Sequence, residues 1–309
     1  IRDSYNIMPL FHIHGLIAVL SSSINAGASV YASNGFNALK FLETANKESI
    51  TWYSGVPTMH QAILMRAKKN PKLAEELSLR FIRSSSASLP PAVFDELKKI
   101  FKTTVIEAYG MTEATHQMTS NPMPPEKQKA GFVGKPAGPE VCIMDAQGDK
   151  LDNGVDGEVC IRGDNVTNGY ENNEEANKTA FINGWFRTGD QGHFDDEGYL
   201  KISGRLKEII NRGGEKVSPL EVDNILMEHE AVEQVVTFAV KDNLLGEAIG
   251  VAIVLKSGID CNEIDIKNYA SKHLADFKIP KYIRFLEEIP KGATGKLQRI
   301  GLAEKLGLE

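Results

Sequence analysis

Ala108-Tyr109-Gly110-Met111-Thr112-Glu113-Ala114-Thr115-His116-Gln117-Met118 follows a short apolar run, Thr104-Val105-Ile106. The run is β-branched and reads as a strand. The residues behind it gather an aromatic ring, a hydroxyl, a carboxylate and an imidazole. They read as a loop at the strand's carboxyl end, where open α/β sheets bind ligands. Standing alone, such a stretch is as readily a surface turn, so its surroundings must decide. Upstream, short β-branched or aromatic runs at 28–32, 50–53 and 79–83 alternate with helical patterns at 38–47, 57–69 and 90–101. That βαβ rhythm predicts a mainly parallel sheet with helices on its faces. Pro90 and Pro91 stand at the start of a helix, where a missing N–H costs nothing.

Downstream the texture changes twice. From Gly131 to about 203, strand patterns such as GEVCIRG are separated by Gly/Asp/Asn turns and predict a β-rich subdomain. From Gly204 strands and helices mix again over about 100 residues, enough for an independent α+β unit. Ser218-Pro219-Leu220-Glu221 reads as a capping box opening a helix to about Glu230.

Of the 309 residues, 42% are hydrophobic and 25% charged, which is globular composition with room for about two domains. The net charge is -6 and no Lys/Arg block is dense, which excludes a nucleic-acid surface. Three unpatterned cysteines, Cys142, Cys160 and Cys261, fit a reducing compartment better than a disulfide framework or zinc site. No apolar run reaches the roughly 18 residues that span a bilayer. The start, IRDSYNIMPLFHIHG, reads as interior sequence, so a fragment is expected. The C-terminus lacks an SKL-type signal, so the expected location is cytoplasmic, with a peroxisome as the alternative.

Further segments have chemical character. Ser84-Ser85-Ser86-Ala87-Ser88 ends a strand with small residues that allow close backbone approach, or simply caps the next helix. Asp190, in GWFRTGD, is either a turn residue or an acceptor for a ribose diol. Gly204-Arg205-Leu206-Lys207 through Gly213-Gly214 is a charged linker or a switch. PKGATGKL at 290–297 lacks the spacing and the Ser/Thr of a Walker loop, yet Lys296 on it can serve as a mobile cation.

In this order and spacing, PLFHIHG (9–15), SSSASL (84–89), AYGMTEA (108–114), GFVGKPAGPEVCI (131–143), GWFRTGD (184–190), GRLKEIINRGGEKVSPLEV (204–222) and PKGATGKLQR (290–299) resemble the adenylate-forming superfamily over nearly the whole chain. The resemblance implies an α/β, acyl-CoA synthetase-like fold. Residues 1–204 would be the C-terminal part of a large AMP-binding domain and 207–309 a small mobile α+β domain, with the hinge at 205–207. It implies an ATP-dependent acid–CoA ligase using Mg²⁺, with CoA as the acyl acceptor. Ser86, Ala87, Ala108, Tyr109, Gly110, Thr112, Asp190 and Arg205 would hold the nucleotide, Tyr109 by stacking on adenine and Asp190 by binding the ribose. Lys296, Thr112 and Glu113 would be catalytic, Glu113 also holding the metal. Lys207 would be the hinge, and Gly213 and Gly214 would line the path of CoA. The family's phosphate loop, of the type [ST]SG[ST][TS]G-x-P-K, normally precedes PLFHIHG and does not occur in these residues.

His12, Ser86 and His116 are the expected acyl-site residues. An imidazole or two with a hydroxyl suits a second carboxylate, the imidazoles being able to carry charge. ATHQMTSNP with the Ser loop looks most like the oxalate–CoA ligases of plants and fungi, so the expected acid is oxalate. Malonate, a short or medium monocarboxylate, and a non-catalytic binding module are the alternatives. His14, His60, His193, His229 and His273 read as structural, and the cysteines as inert core residues.

Overall fold

A computed structural model describes residues 3–308. Strands β1 (Ser4–Asn6), β2 (Val30–Ala32), β3 (Trp52–Gly55), β4 (Phe81–Ser84), β5 (Thr104–Met111), β6 (His116–Ser120) and β7 (Lys135–Pro136) form one sheet in the order β2-β1-β3-β4-β5-β6-β7. Pairing is parallel from β2 to β5 and antiparallel from β5 to β7. The fold class is therefore the mixed α/β one that the alternating pattern predicts. Helices Ala38–Lys47, Pro57–Lys69 and Pro91–Phe101 link the parallel strands. Asn37 caps the first, its side chain accepting from the N–H groups of Leu39 and Lys40. Its buried face carries Phe41, stacked 5.2 Å from Tyr5 and edge-on 4.8 Å from Tyr53. Burying such a ring contributes about 1.5–3 kcal/mol.

Two features differ from the sequence reading. The opening segment contains strand β1 and a π-helix over His14–Ser21. A three-residue strand has no alternation to detect, and HGLIAVLS is too apolar to show a helical face. Secondly, the stretch after residue 106 is not a loop. Strand β5 runs on to Met111 because β6 pairs with it, Ala108 opposite Ser120 and Met111 opposite His116. Only Thr112–Ala114 is a turn, of 3₁₀ type, followed by left-handed Thr115 (φ 51) and His116 (φ 87).

Strands β8 (Glu140–Met144), β9 (Gly157–Arg162), β10 (Phe181–Ile182), β11 (Trp185–Phe194) and β12 (Leu200–Arg205) make a second sheet. Cys142 and Cys160 face each other across β8 and β9. All three cysteines are free thiols.

The third sheet contains β13 (Ile210–Arg212), β14 (Glu215–Val217), β15 (Val232–Asp242), β16 (Gly246–Leu255) and β17 (Tyr282–Phe285). Alternation along β15 sends Val235 to a core with Val222, Leu226, Ile266 and Ala270, and sends Val236, Phe238 and Val240 to a second core with Ile289 and Leu302. Cys261 lies in the first of these. The helix Pro219–Met227 has only half of the expected capping box. Ser218 accepts from the Glu221 N–H at 3.3 Å, but the Glu221 carboxylate pairs with Lys278 at 2.6 Å. The full box occurs at Asn262 and Asp265, opening Glu263–His273.

The chain divides into two compact units, Ile1–Thr188 with Gly192–Ile202 and Thr294–Lys296, and Gly189–Gln191 with Ser203–Ala293 and Leu297–Glu309. The 291–297 loop is closed by an antiparallel bridge between Lys291 and Leu297. No helix among the described residues is long and apolar enough to cross a membrane.

Candidate active site

In the first unit the carboxyl ends of β3, β4 and β5 meet the π-helix and β6. Ser86, left-handed at φ 74, follows β4. Its Oγ lies 3.0 Å from His14 Nδ1, while His14 Nε2 lies 2.6 Å from Ser54 Oγ. Arg83 donates to the same Ser54 hydroxyl at 3.3 Å and to Gln117 Oε1 at 3.3 Å. A hydroxyl both donates and accepts, so Ser54 accepts from Arg83 and bonds His14 Nε2, while Ser86 bonds His14 Nδ1, with His14 neutral in either tautomer.

Arg83 is 5% exposed, and among the described residues no carboxylate pairs with it. Burial pushes its pKa down to about 10, which leaves it charged at neutral pH. A buried guanidinium among neutral partners is costly unless an anion answers it. The imidazoles around it are not cations. Burial, then Arg83, then the other histidines hold His14 well below its ordinary value. His116, 2% exposed and 5.4 Å from His14 between ring centroids, is pushed down to about 3, by burial first and by Arg83, His12 and Lys296 after it. Its Nδ1 is buried without a hydrogen-bond partner among the described residues. Burial and Lys296 lower His12 too, and its Nδ1 accepts the His14 N–H at 3.2 Å. The positive charge expected of the histidines thus resides on Arg83 and Lys296, because burial beside a fixed cation disfavours a second one. Lys296 reaches this cluster on the tip Thr294–Lys296, where Thr58 donates to the Gly295 carbonyl at 2.8 Å.

The other expected residues fall into separate groups. Ala108, Tyr109 and Gly110 lie in β5, and Ser85 Oγ donates to the Ala108 carbonyl at 2.8 Å. Ala87 and Thr112 are exposed. Glu113 Oε1 accepts the Tyr170 hydroxyl at 2.9 Å. In the second unit Asp190, 5% exposed, pairs with Arg205 at 3.1 Å. Lys207 is exposed in the turn after β12. Gly213 (φ 62) and Gly214 (φ 95) are the two-residue turn between β13 and β14, a position that demands positive φ twice.

A model of the family described as AMP-binding enzyme matches residues 2–171, more than half of the chain, and its C-terminal domain matches 221–296. The chain belongs to the AMP-binding enzyme family. Among curated relatives, an oxalate–CoA ligase of Arabidopsis thaliana is 51% identical over 95% of this chain and 57% of its own length. One of Saccharomyces cerevisiae is 48% identical over 97% and 55%. The chain thus spans little more than half the length of the curated relatives it matches. Among solved structures, ATP-bound MatB of Rhodopseudomonas palustris superposes with a TM-score of 0.91 at 29% identity, covering 98% of this chain and 60% of that one. The o-succinylbenzoate CoA synthetase MenE of Bacillus subtilis, solved with ATP and magnesium, gives 0.81 at 31% identity, covering 96% and 60%.

In this member of the family no group of three or more His, Cys, Asp or Glu among the described residues is placed to hold a metal. Glu113 offers a carboxylate with one oxygen fixed by Tyr170. That donor set suits Mg²⁺, which keeps waters and phosphate oxygens and needs only one or two carboxylates. Sequence reasoning did not single out Arg83, Ser54 or Tyr170, and it read His14 as structural, where the structure sets it between Ser54 and Ser86. Arg83 alone left a signal, a charge at the end of a strand otherwise fit for burial.

Proposed function

We propose that this protein works as an ATP-dependent acid–CoA ligase and that its acid is oxalate. The observation that carries the choice of acid is Arg83, a buried cation with no carboxylate partner among the described residues, set among neutral His14 and His116. A monocarboxylate with an apolar tail would leave that charge unanswered. A short dicarboxylate brings its own anion. The oxalate–CoA ligases among the relatives support the same reading.

One carboxylate of the acid attacks the α-phosphorus of ATP, the bond to the β-phosphate oxygen breaks, and pyrophosphate leaves. The thiol of CoA then attacks the acyl carbon, releasing AMP and a proton. Two anions meet in the first step, so Lys296 offsets their repulsion and Thr112 contacts the α-phosphate. Glu113 would hold Mg²⁺, which would supply further neutralisation of the phosphates. Tyr109 stacks on adenine beside Ser86, Ala87, Ala108 and Gly110. Asp190, steadied by Arg205, accepts from the ribose hydroxyls. The second carboxylate lies against Arg83, His116, His12 and Ser86, and an anion there favours the protonated imidazoles. Lys207 is the hinge for the thiol step, and the Gly213-Gly214 turn lines the path of CoA.

Acid- and CoA-dependent formation of AMP tests this. Oxalate is expected to exceed malonate and hexanoate in kcat/KM by at least about tenfold. A higher value for malonate or hexanoate overturns the choice of oxalate. No AMP with any acid overturns the ligase reading.

A further inference from the structure

Glu107 lies in β5 two residues before Tyr109 and is 1% exposed. Its Oε1 accepts the Leu89 N–H at 2.8 Å. Its Oε2 is buried without a hydrogen-bond partner among the described residues. Its register partner on β4 is Ser84, so Glu107 and Ser84 project from one face of the sheet and Arg83 from the other. Ser84 Oγ is likewise buried and unpartnered. Arg83 from β4 acts on His14 and on His116 of β6, but neither Arg83 nor His116 acts on Glu107. Burial pushes Glu107 up to about 8, opposed only by the Leu89 bond.

The tie matters because of what it closes. Residues 85–89 carry Ser86 and Ala87. Their start is fixed to Ala108 by the Ser85 hydroxyl and their end to Glu107 by the Leu89 N–H, two adjacent residues of one strand. Pro90 and Pro91 follow, so Leu89 has the last backbone donor before the helix begins. A lone buried carboxylate there would be an unpaired charge, and a proton removes it.

We propose that Glu107 is a positioning residue: as an uncharged carboxylic acid it ties Leu89 to β5 and so holds Ser86 and Ala87 beside Tyr109, and its ionisation in alkali loosens them. The effect on ligand rests on the nucleotide reading above; the charge state of Glu107 does not.

Glu107→Gln keeps the acceptor for Leu89 and cannot ionise. In the infrared the wild type at neutral pH is expected to give the carbonyl band of a protonated carboxyl, absent from the variant. The folded-state value lies above the ordinary carboxyl value of 4.5. The wild type's stability is therefore fully present below that value and lost as pH rises toward about 8. The Tm advantage of Glu107→Gln should grow across that window and then level off. Calorimetric AMP affinity should fall on the order of fivefold in the wild type above about pH 8, stay flat in Glu107→Gln, and be weak throughout in Glu107→Ala, which strands the Leu89 N–H. The same melting slope in wild type and Glu107→Gln, with no carboxyl band, overturns the neutral acid. Equal AMP binding by Glu107→Ala and Glu107→Gln overturns the positioning. AMP binding by no form overturns the nucleotide reading instead, while the infrared and melting results still decide for or against Glu107 as a neutral acid.

Discussion

A guanidinium is expensive to bury, and among the described residues the Arg83 guanidinium has only a hydroxyl and an amide as hydrogen-bond partners. Replacing a buried charge by an apolar side chain of similar length often raises stability, whereas losing a substrate's charge-assisted hydrogen bond costs about 1.5–3 kcal/mol. Arg83→Met is therefore expected to melt no lower than the wild type. Its KM for oxalate should rise about 10- to 150-fold while the KM for ATP stays within about twofold. A lowered Tm with equal damage to both constants would assign Arg83 to the scaffold. The residues proposed for the nucleotide stand out in the sequence because Tyr109, Thr112 and Glu113 lie in one contiguous stretch. Arg83 does not, because a strand-ending Arg looks like a strand leaving the core. Its function depends on which neighbours close over it, and those come from residues 14, 54 and 117.

At the scale of elements, helices whose apolar residues recur at helical spacing were readable to the residue, as at Ala38–Lys47 and Pro57–Lys69. Strand β5 was not. Glu107 breaks its apolar run, and only pairing with β6 extends it to Met111. The hairpin that results is close at Gly110, where a Cβ would fall on the His116 carbonyl oxygen. Gly110→Ala must push β6 away and carry His116 with it. Lost activity on the order of a hundredfold in kcat/KM for the acid is expected. The Tm should drop by several degrees, for a cost of about 2–3 kcal/mol in a chain of this size. Unchanged kinetics would mean that the hairpin can shift without disturbing the acid site. The capping residues teach the same lesson in reverse. Ser218-x-x-Glu221 has the right letters, yet Lys278, 57 positions away, takes the carboxylate.

For the whole molecule, the alternation of strand and helix that fixes the α/β class is a local property, and it survives reading from sequence alone. Which residues the compact units claim is not local. The tip Thr294–Lys296 clusters with the first unit although the sequence on both sides of it belongs to the second, and residues 189–191 do the converse. The three thiols turn this partition into something measurable. Burial pushes Cys142 up to about 11 and Cys160 up to about 12, and raises Cys261. Cys160 and Cys261 are buried and react only when their surroundings open, whereas Cys142 is half-buried. Cys142 and Cys160 sit in one unit and Cys261 in the other. The protein thus contains its own pair of unfolding clocks. Pulsed alkylation in rising urea, read by mass, is expected to label Cys261 at a different midpoint from Cys160. A single midpoint for both would mean that the units open as one.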